Sequence, residues 1–214
     1  MPNYTVSEEY ANMITHIIGG IFGIALLFVC IFTAKSRGNT VGEITGVVFS
    51  VSMIILYTVS SLYHGVRAEY AKRVLQVVDH CTIYLLIAGT YTPILLSGIL
   101  PINKFGAVCV FAMEWGCAFT AATLTAIDLK RYQTLSMICY IAMGWGIVFI
   151  LKDTVSALTP TGFAWLLCGG ISYTLGAILY GLGKKKNAVY HTVFHVFVLI
   201  GSALQAISIV FYVL

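Results

Sequence analysis

Seven long runs of apolar residues, separated by short polar segments, dominate the sequence. The runs cover residues 14–34, 41–63, 75–100, 105–127, 134–151, 161–182 and 188–213. A helix needs about 20 such residues to cross the hydrocarbon core of a bilayer. The pattern therefore predicts an all-α, polytopic membrane protein, a bundle of seven transmembrane helices. Because the connecting segments leave no room for a soluble domain, residues 1–214 are predicted to form one domain.

The composition agrees with lipid as the solvent of this chain. Hydrophobic residues make up 59% of the sequence and charged residues only 9%, whereas soluble domains carry roughly 25% charged residues. The net charge of +4 comes from short basic clusters between the apolar runs. Such clusters are typical of topology signals and not of a nucleic-acid surface. Membrane lipids are the expected partners, and the sequence leaves the oligomeric state open.

The basic residues also predict an orientation, because cytoplasmic loops of membrane proteins carry an excess of lysine and arginine. One side of the predicted bundle holds eight of them: Arg67, Lys72, Arg73, Lys130, Arg131, Lys184, Lys185 and Lys186. The other side holds four: Lys35, Arg37, Lys104 and Lys152. This difference places the N-terminus in the cytoplasm and the C-terminus outside.

Polar residues inside membrane spans are costly and are candidates for function. In the predicted topology all the histidines share the cytoplasmic layer with one aspartate: His16, His64, Asp79, His80, His191 and His195. They come from four spans that are far apart in sequence. Histidines that serve only packing would not be expected to share one depth, so the layer predicts a polar site.

The spacing of these residues favours a metal. His191 and His195 are four residues apart, so they project from one helix face, and His64 can supply a third imidazole. Three histidines leave a fourth tetrahedral position open, as in catalytic zinc sites; imidazole also suits copper, iron and nickel. Asp79 would orient or deprotonate a water at the metal, and Ser60, one turn before His64, could stabilise a developing oxyanion.

The other polar residues have less certain roles. His80 is more suited to packing or to supporting a ligand than to binding the metal, because adjacent residues point about 100° apart on a helix. His16, with Glu8, Glu9 and Asn12 upstream, is either a cap on the cytoplasmic mouth or a plain interfacial histidine. Glu114 needs a polar partner that the sequence does not identify. Pro93 is expected to kink the third span, and small residues, Gly19, Gly20, Gly23, Gly169 and Gly170, are expected to allow close helix contact.

Five stretches of the sequence resemble the bacterial hemolysin III family, within the group of progestin and adipoQ receptors. They are EEYANMITH (8–16), SSLYH (60–64), VDHCTIYLLIAGTYTP (78–93), IAMGW (141–145) and HTVFH (191–195). The resemblance implies seven membrane helices, a cytoplasmic N-terminus, a bacterial inner-membrane location and a zinc ion bound by His64, His191 and His195. It also implies that Asp79 and Ser60 lie beside the zinc. The group is similar to alkaline ceramidases, which implies hydrolysis of a lipid amide.

Three functions remain open at this point. The first is a zinc-dependent hydrolase of lipid amides or esters, with a substrate that enters sideways from the bilayer. The second is a non-enzymatic receptor, sensor or regulator of membrane homeostasis in which zinc is structural. The third is a channel, transporter or cytolytic protein; the outer half of the bundle has few ionisable residues that could continue a path across the membrane.

Overall fold

The computed structural model describes residues 5–183 and 189–214, and every regular element in these two ranges is helical. The helices are α1 (Val6–Ser36), α2 (Thr40–Gly65), α3 (Glu69–Pro93), α4 (Lys104–Ile127), α5 (Gln133–Gly144), α6 (Leu151–Gly183) and α7 (Val189–Tyr212). A π-helical turn, Ile94–Ile99, continues α3 directly after Pro93, and a 3₁₀ turn, Gly146–Ile150, follows α5. The prediction of an all-α protein is confirmed. Lys184, Lys185, Lys186 and residue 188, the predicted start of the last span, lie outside the described residues.

Side chains cap the start of three helices. Thr5 forms a capping box with Glu8 at the start of α1. Asn39 Oδ1 accepts a hydrogen bond from Gly42 N at 2.8 Å, and Asn103 Oδ1 accepts one from Gly106 N at 2.9 Å. These bonds satisfy backbone N–H groups that the first turn of a helix leaves without a partner. The short polar segments of the sequence are therefore helix boundaries.

Six helical stretches in the described part of the chain are long and apolar enough to cross a membrane. The prediction of seven is not confirmed, because the fifth and sixth predicted spans both fall in one helical stretch, Gln133–Leu182, of 50 residues. A straight helix of that length would measure about 75 Å, far more than the roughly 30 Å of a hydrocarbon core.

This long stretch is bent back on itself at Thr159. Thr159 has φ 62° and ψ 163°, values outside the helical region, and Pro160 follows it. Trp145 Nε1 donates a hydrogen bond to Thr174 Oγ1 at 3.1 Å. In a straight helix these two residues would lie about 43 Å apart along the axis. The two arms of the stretch therefore run side by side in opposite directions.

Buried positions concentrate on α2 and α3, and the outer helices expose apolar side chains. Tyr57 on α2 is fully buried, and its hydroxyl lies 2.8 Å from Ser202 Oγ on α7. On α1, by contrast, Ile21 is 63% exposed and Phe32 is 70% exposed. Large apolar side chains at such exposure are stable where lipid surrounds the protein.

The helix ends meet in two groups. At one end, which we call the histidine end, the starts of α1, α3 and α7 lie against the end of α2. Thr192 on α7 donates to Asn12 Oδ1 on α1 at 2.7 Å, and Lys72 Nζ on α3 donates to the Tyr63 carbonyl on α2 at 3.2 Å. At the opposite end, the far end, Asn39 Nδ2 donates to Ser97 Oγ at 2.8 Å.

Candidate metal centre

Three imidazole rings converge at the histidine end. His64 lies in the last turn of α2, and His191 and His195 lie on successive turns at the start of α7. The Nε2 atoms of His64 and His191 are 3.4 Å apart, and those of His191 and His195 are 3.0 Å apart. One nitrogen from each ring lies within 4.8 Å of the other two. We call these residues the triad.

The geometry of the triad fits a metal ion. Nitrogens bound to one tetrahedral zinc at about 2.0–2.1 Å lie about 3.3–3.4 Å from one another, close to the two separations observed. His64 and His195 are buried, at 3% and 2% exposure. Each neutral imidazole has one donor and one acceptor nitrogen, so three rings that turn the same nitrogen toward one point make a poor hydrogen-bond network. They make a suitable set of ligands.

Glu9 lies on the outer side of the triad. Its Oε2 is 2.6 Å from His64 Nδ1, and its Oε1 is 2.7 Å from Lys72 Nζ. The carboxylate therefore joins the first turn of α1 to the end of α2 and the first turn of α3. Because an ionised carboxylate only accepts hydrogen bonds, Nδ1 of His64 carries a proton, and in the neutral ring Nε2 then turns its lone pair to the triad.

His16 lies against the triad from the other side. Its ring stacks on that of His195, with centroids 3.8 Å apart and planes 14° apart, and its edge faces the Tyr57 ring at 5.0 Å. The side chain is buried, and neither ring nitrogen has a hydrogen-bond partner among the described residues. The structure thus places His16 inside the bundle, packed against His195.

Asp79, Ser60 and His80 line a cavity that His191 and His195 of the triad also border. Asp79 is partly buried, and Ser60 Oγ has no partner within hydrogen-bond range in the described chain. Nδ1 of His80 lies 2.8 Å from the Gln76 carbonyl of its own helix and 3.8 Å from Asp79 Oδ2. His80 is therefore held by α3 and is not part of the triad.

The cavity measures about 170 Å³ and extends from the triad into the middle of the bundle. Its polar end is formed by Ser60, Asp79 and the triad members on α7. Farther in, its walls are mostly apolar and include Leu56, Leu86, Ile94, Phe163, Leu166 and Val198. The arrangement can hold a polar group of a ligand at the histidines and a hydrocarbon chain beyond it.

Glu114 lies apart from this site. It is fully buried on α4, and neither carboxyl oxygen has a hydrogen-bond partner in the described residues. An ideal Cβ built on Gly146 would lie 2.4 Å from Glu114 Oε1, so the carboxyl group points at the backbone where α5 ends. The side chain does not line the cavity and is not brought to the triad.

The close contact between Glu9 and His64 is absent from the sequence-based prediction, although the sequence contains a signal for it. Glu9, Asn12 and His16 are spaced at i, i+3 and i+7, so they share one face of α1. The structure turns that face to α2 and α7. Polar residues at this spacing near the start of an otherwise apolar helix would have indicated a contact with the site.

The fold and the site define a multi-pass membrane protein with a buried, histidine-rich centre at one end of a helical bundle. The chain belongs to the family described as haemolysin-III related, whose model matches residues 4–206. It is 37% identical over 210 residues to a hemolysin-3 homolog of Bacillus subtilis (strain 168), covering 98% of this chain and 96% of that one.

Two further relatives agree with this assignment. The chain is 38% identical over 209 residues to hemolysin-3 of Bacillus cereus, covering 98% of this chain and 93% of the other. It is 23% identical over 221 residues to the adiponectin receptor protein of Drosophila melanogaster, covering 92% of this chain and 48% of the receptor. With six apolar helices, the family and the two Bacillus relatives indicate a multi-pass protein of a bacterial plasma membrane.

Proposed function

We propose that this protein is a zinc-dependent hydrolase that cleaves an acyl amide or ester bond of a membrane lipid. The observation that carries the proposal is the convergence of three imidazole nitrogens beside a cavity that also holds a carboxylate and a hydroxyl. His64, His191 and His195 would hold the zinc, which neutral imidazoles suit well. When bound, the metal would supply Lewis-acid polarisation of a carbonyl group.

Asp79 and Ser60 supply the remaining chemistry. In the proposed reaction water attacks the carbonyl carbon of the substrate, and the Asp79 carboxylate accepts the proton that the water loses. Ser60 Oγ donates a hydrogen bond to the oxygen on which negative charge develops. As the bond from carbon to the leaving nitrogen or oxygen breaks, Asp79 returns the proton to the leaving group. Both side chains line the cavity at its polar end, which supports these roles.

The apolar part of the cavity supports a lipid as the substrate. Its walls are formed by aliphatic and aromatic side chains of helices that can cross a membrane. An acyl chain can therefore leave the bilayer sideways and lie along these walls while its polar linkage reaches the histidines. Because lipid surrounds the bundle, the substrate does not need to pass through water.

We also propose that the chain crosses the membrane seven times with its N-terminus in the cytoplasm. The two antiparallel arms on either side of Thr159 would each cross once, and the histidine end would face the cytoplasm, where five of the described basic residues lie: Arg67, Lys72, Arg73, Lys130 and Arg131. Cysteines introduced at Ser36 and Ser156 should react with a membrane-impermeant reagent outside whole cells, and one at Lys130 should not. Labelling of the cysteine at position 130 but not of the one at position 36 would indicate the opposite orientation.

A receptor or sensor with structural zinc is the second candidate. The triad joins α2 to α7, and Glu9 joins α1 to the same point, so a metal there could hold the bundle together without turnover. This candidate predicts that loss of zinc lowers thermal stability while no lipid is cleaved.

The first experiment compares metal content and lipid hydrolysis in three forms of the protein purified in mild detergent. Zinc should be near-stoichiometric in the wild type, lost in His191→Ala and retained in Asp79→Ala. A panel of lipid amides and esters should be hydrolysed by the wild type alone. Hydrolysis by zinc-containing Asp79→Ala at the wild-type rate would overturn the role of Asp79, and a wild type that contains zinc but cleaves no lipid would favour the structural candidate.

A further inference from the structure

We infer that Glu9 is a positioning residue for the metal centre, acting on the ion through His64 and held in place by Lys72. The inference rests on the proposed zinc site. It extends the functional residues beyond α2, α3 and α7 to the first turns of α1. None of the four roles proposed above, for the ligands, the proton acceptor, the oxyanion donor or the lipid cavity, requires this carboxylate.

The contact between Glu9 and His64 has the geometry of a strong, charge-assisted hydrogen bond. The Oε2 to Nδ1 distance is 2.6 Å, and the His64 side chain is fully buried while that of Glu9 is 19% exposed. A bond of this kind is shorter and stronger than one between neutral groups. It fixes both the rotation of the imidazole and the nitrogen that carries its proton.

The position of Glu9 excludes a role as a direct ligand. The carboxylate contacts Nδ1, whereas the Nε2 atoms of the three histidines converge on the opposite side of the ring. Glu9 can therefore orient a ligand of an ion at the triad through the imidazole without itself binding the ion. Histidines that bind metals commonly donate their other N–H to a carboxylate, which orients the ring and makes it a better ligand.

Lys72 completes the arrangement. Its ammonium group lies 2.7 Å from Glu9 Oε1 and donates to the Tyr63 and Val66 carbonyls at 3.2 and 3.3 Å. These carbonyls lie at the end of α2, and the last turn of α2 also carries His64. Lys72 therefore holds Glu9 Oε1 in place at the end of α2, while Glu9 Oε2 orients His64 on the same helix. The positive charge of Lys72 also offsets the cost of placing a carboxylate there.

Two other contacts hold the same face of α1 against the ligands of α7. Asn12 Oδ1 accepts a hydrogen bond from Thr192, the residue after His191, and the His16 ring stacks on that of His195. The first turns of α1 thus touch each of the two helices that carry the triad. These contacts make the first turns of α1 a support for the histidines of the metal centre.

An ordinary salt bridge between Glu9 and a protonated His64 is the competing explanation, and it makes a different prediction. A protonated His64 would direct an N–H at its Nε2 toward His191, so metal binding would have to displace that proton. In that case loss of the Glu9 charge would lower the stability of the metal-free protein and leave metal affinity unchanged or increase it. In the arrangement inferred here, loss of the charge weakens metal binding.

The test measures zinc affinity by chelator competition in the full-length, detergent-purified protein. Glu9→Gln should weaken zinc binding by about 10–100-fold, the usual effect of removing a carboxylate that supports a metal-bound histidine. Lys72→Met should also weaken zinc binding, but by a smaller factor. The matched control is Glu8→Gln, because glutamine also serves in a capping box and the Glu8 side chain hydrogen-bonds only to Thr5 among the described residues.

A spectroscopic measurement separates a positioning role from a general loss of stability. The protein loaded with Co²⁺ should show visible absorption bands that change in position or intensity in Glu9→Gln and not in Glu8→Gln, since only Glu9 alters the ligand field through His64. Wild-type affinity and an unchanged spectrum in Glu9→Gln would overturn this inference while leaving the zinc site standing. A wild type that binds neither zinc nor cobalt would overturn both.

Discussion

Polar side chains from distant parts of the chain converge at both ends of the bundle, but they are used differently. At the far end they satisfy one another. Asn39 caps α2 through its oxygen, and its amide donates to Ser97 and to the Val213 carbonyl. Asn103 does the same for α4, with its amide donating to Asp153 Oδ2 at 2.8 Å. Each donor is matched by an acceptor.

At the histidine end the groups do not match in this way. The triad turns three nitrogens of the same kind toward one point, and both nitrogens of His16 and the Ser60 hydroxyl lack hydrogen-bond partners in the described chain. Buried polar groups without partners destabilise a fold unless something else satisfies them. Convergence of polar residues is therefore not by itself a sign of function. Buried polar groups that do not satisfy one another at the point of convergence are such a sign.

The largest expected effect that tests this comparison is on catalysis. Asp79→Asn should lower lipid hydrolysis by about 10²–10⁴-fold, the usual contribution of a general base, while zinc content stays constant. The same isosteric change at the far end, Asp153→Asn, should leave turnover within about twofold, because Asp153 only accepts a bond from Asn103. Equal losses in both variants would show that the two ends do not differ in function.

The next largest effect is on stability and depends on metal. Zinc at about 1,000 times its dissociation constant should stabilise the wild type by about 4 kcal/mol, and thermal unfolding with and without a chelator should show the difference. In His195→Ala the two unfolding curves should coincide.

The far-end variant for the same measurement is Asn39→Ala. It should lower stability by about 0.5–2 kcal/mol through loss of the helix cap, equally with and without chelator. A zinc-dependent loss in Asn39→Ala would mean that the far end is coupled to the triad, and the comparison between the ends would fail.

A further effect, smaller than that of the metal, concerns the packing beneath the triad. A Cβ added at Gly19 would lie 2.5 Å from the Tyr57 ring, which faces His16, so Gly19→Ala should destabilise the protein by about 1–3 kcal/mol. Gly20→Ala is the matched control: its Cβ would lie 3.9 Å from the nearest atom, and the gain in helix propensity should leave stability unchanged or raised by up to about 1 kcal/mol. Thermal unfolding of the two variants measures this difference. Equal unfolding midpoints would contradict the prediction that Gly19 is tightly packed and Gly20 is not.

The same pair of glycines shows a limit of reasoning from sequence. Small residues predicted close helix contact at Gly19, Gly20, Gly23, Gly169 and Gly170. The structure places the first, third and fourth against neighbouring helices, while Gly20 has only a distant neighbour and Gly170 has none within 4 Å. Adjacent residues on a helix point about 100° apart, so which of two glycines meets a neighbour depends on how the helix is rotated in the bundle.

The spans show a second limit. The apolar runs predicted the helices of the described chain closely, because the thickness of the hydrocarbon core sets the length that a spanning helix needs. The sequence predicts a connecting segment between the fifth and sixth runs. In the structure these residues are part of α6, and the helix is interrupted only at Thr159. Seven crossings therefore stay a prediction, as do the zinc ion and the roles of Asp79 and Ser60.

The sequence alone predicts how far along its helix each residue lies, and so at what depth in the bundle. A helix rises 1.5 Å per residue, so apolar length and loop position place His16, His64, Asp79, His191 and His195 in one layer, and a spacing of four puts the last two on one face. This calculation needs no knowledge of neighbours. It was enough to propose a metal site and to choose its ligands.

How the residues in that layer contact one another across the bundle depends on the tertiary structure. The rise of a helix says nothing about which helices are adjacent or how each is rotated about its axis; packing of side chains across the bundle sets both. Only the packed bundle brings Glu9 to the outer nitrogen of His64, stacks His16 on His195, and sends Glu114 to the backbone near Gly146 and away from the cavity.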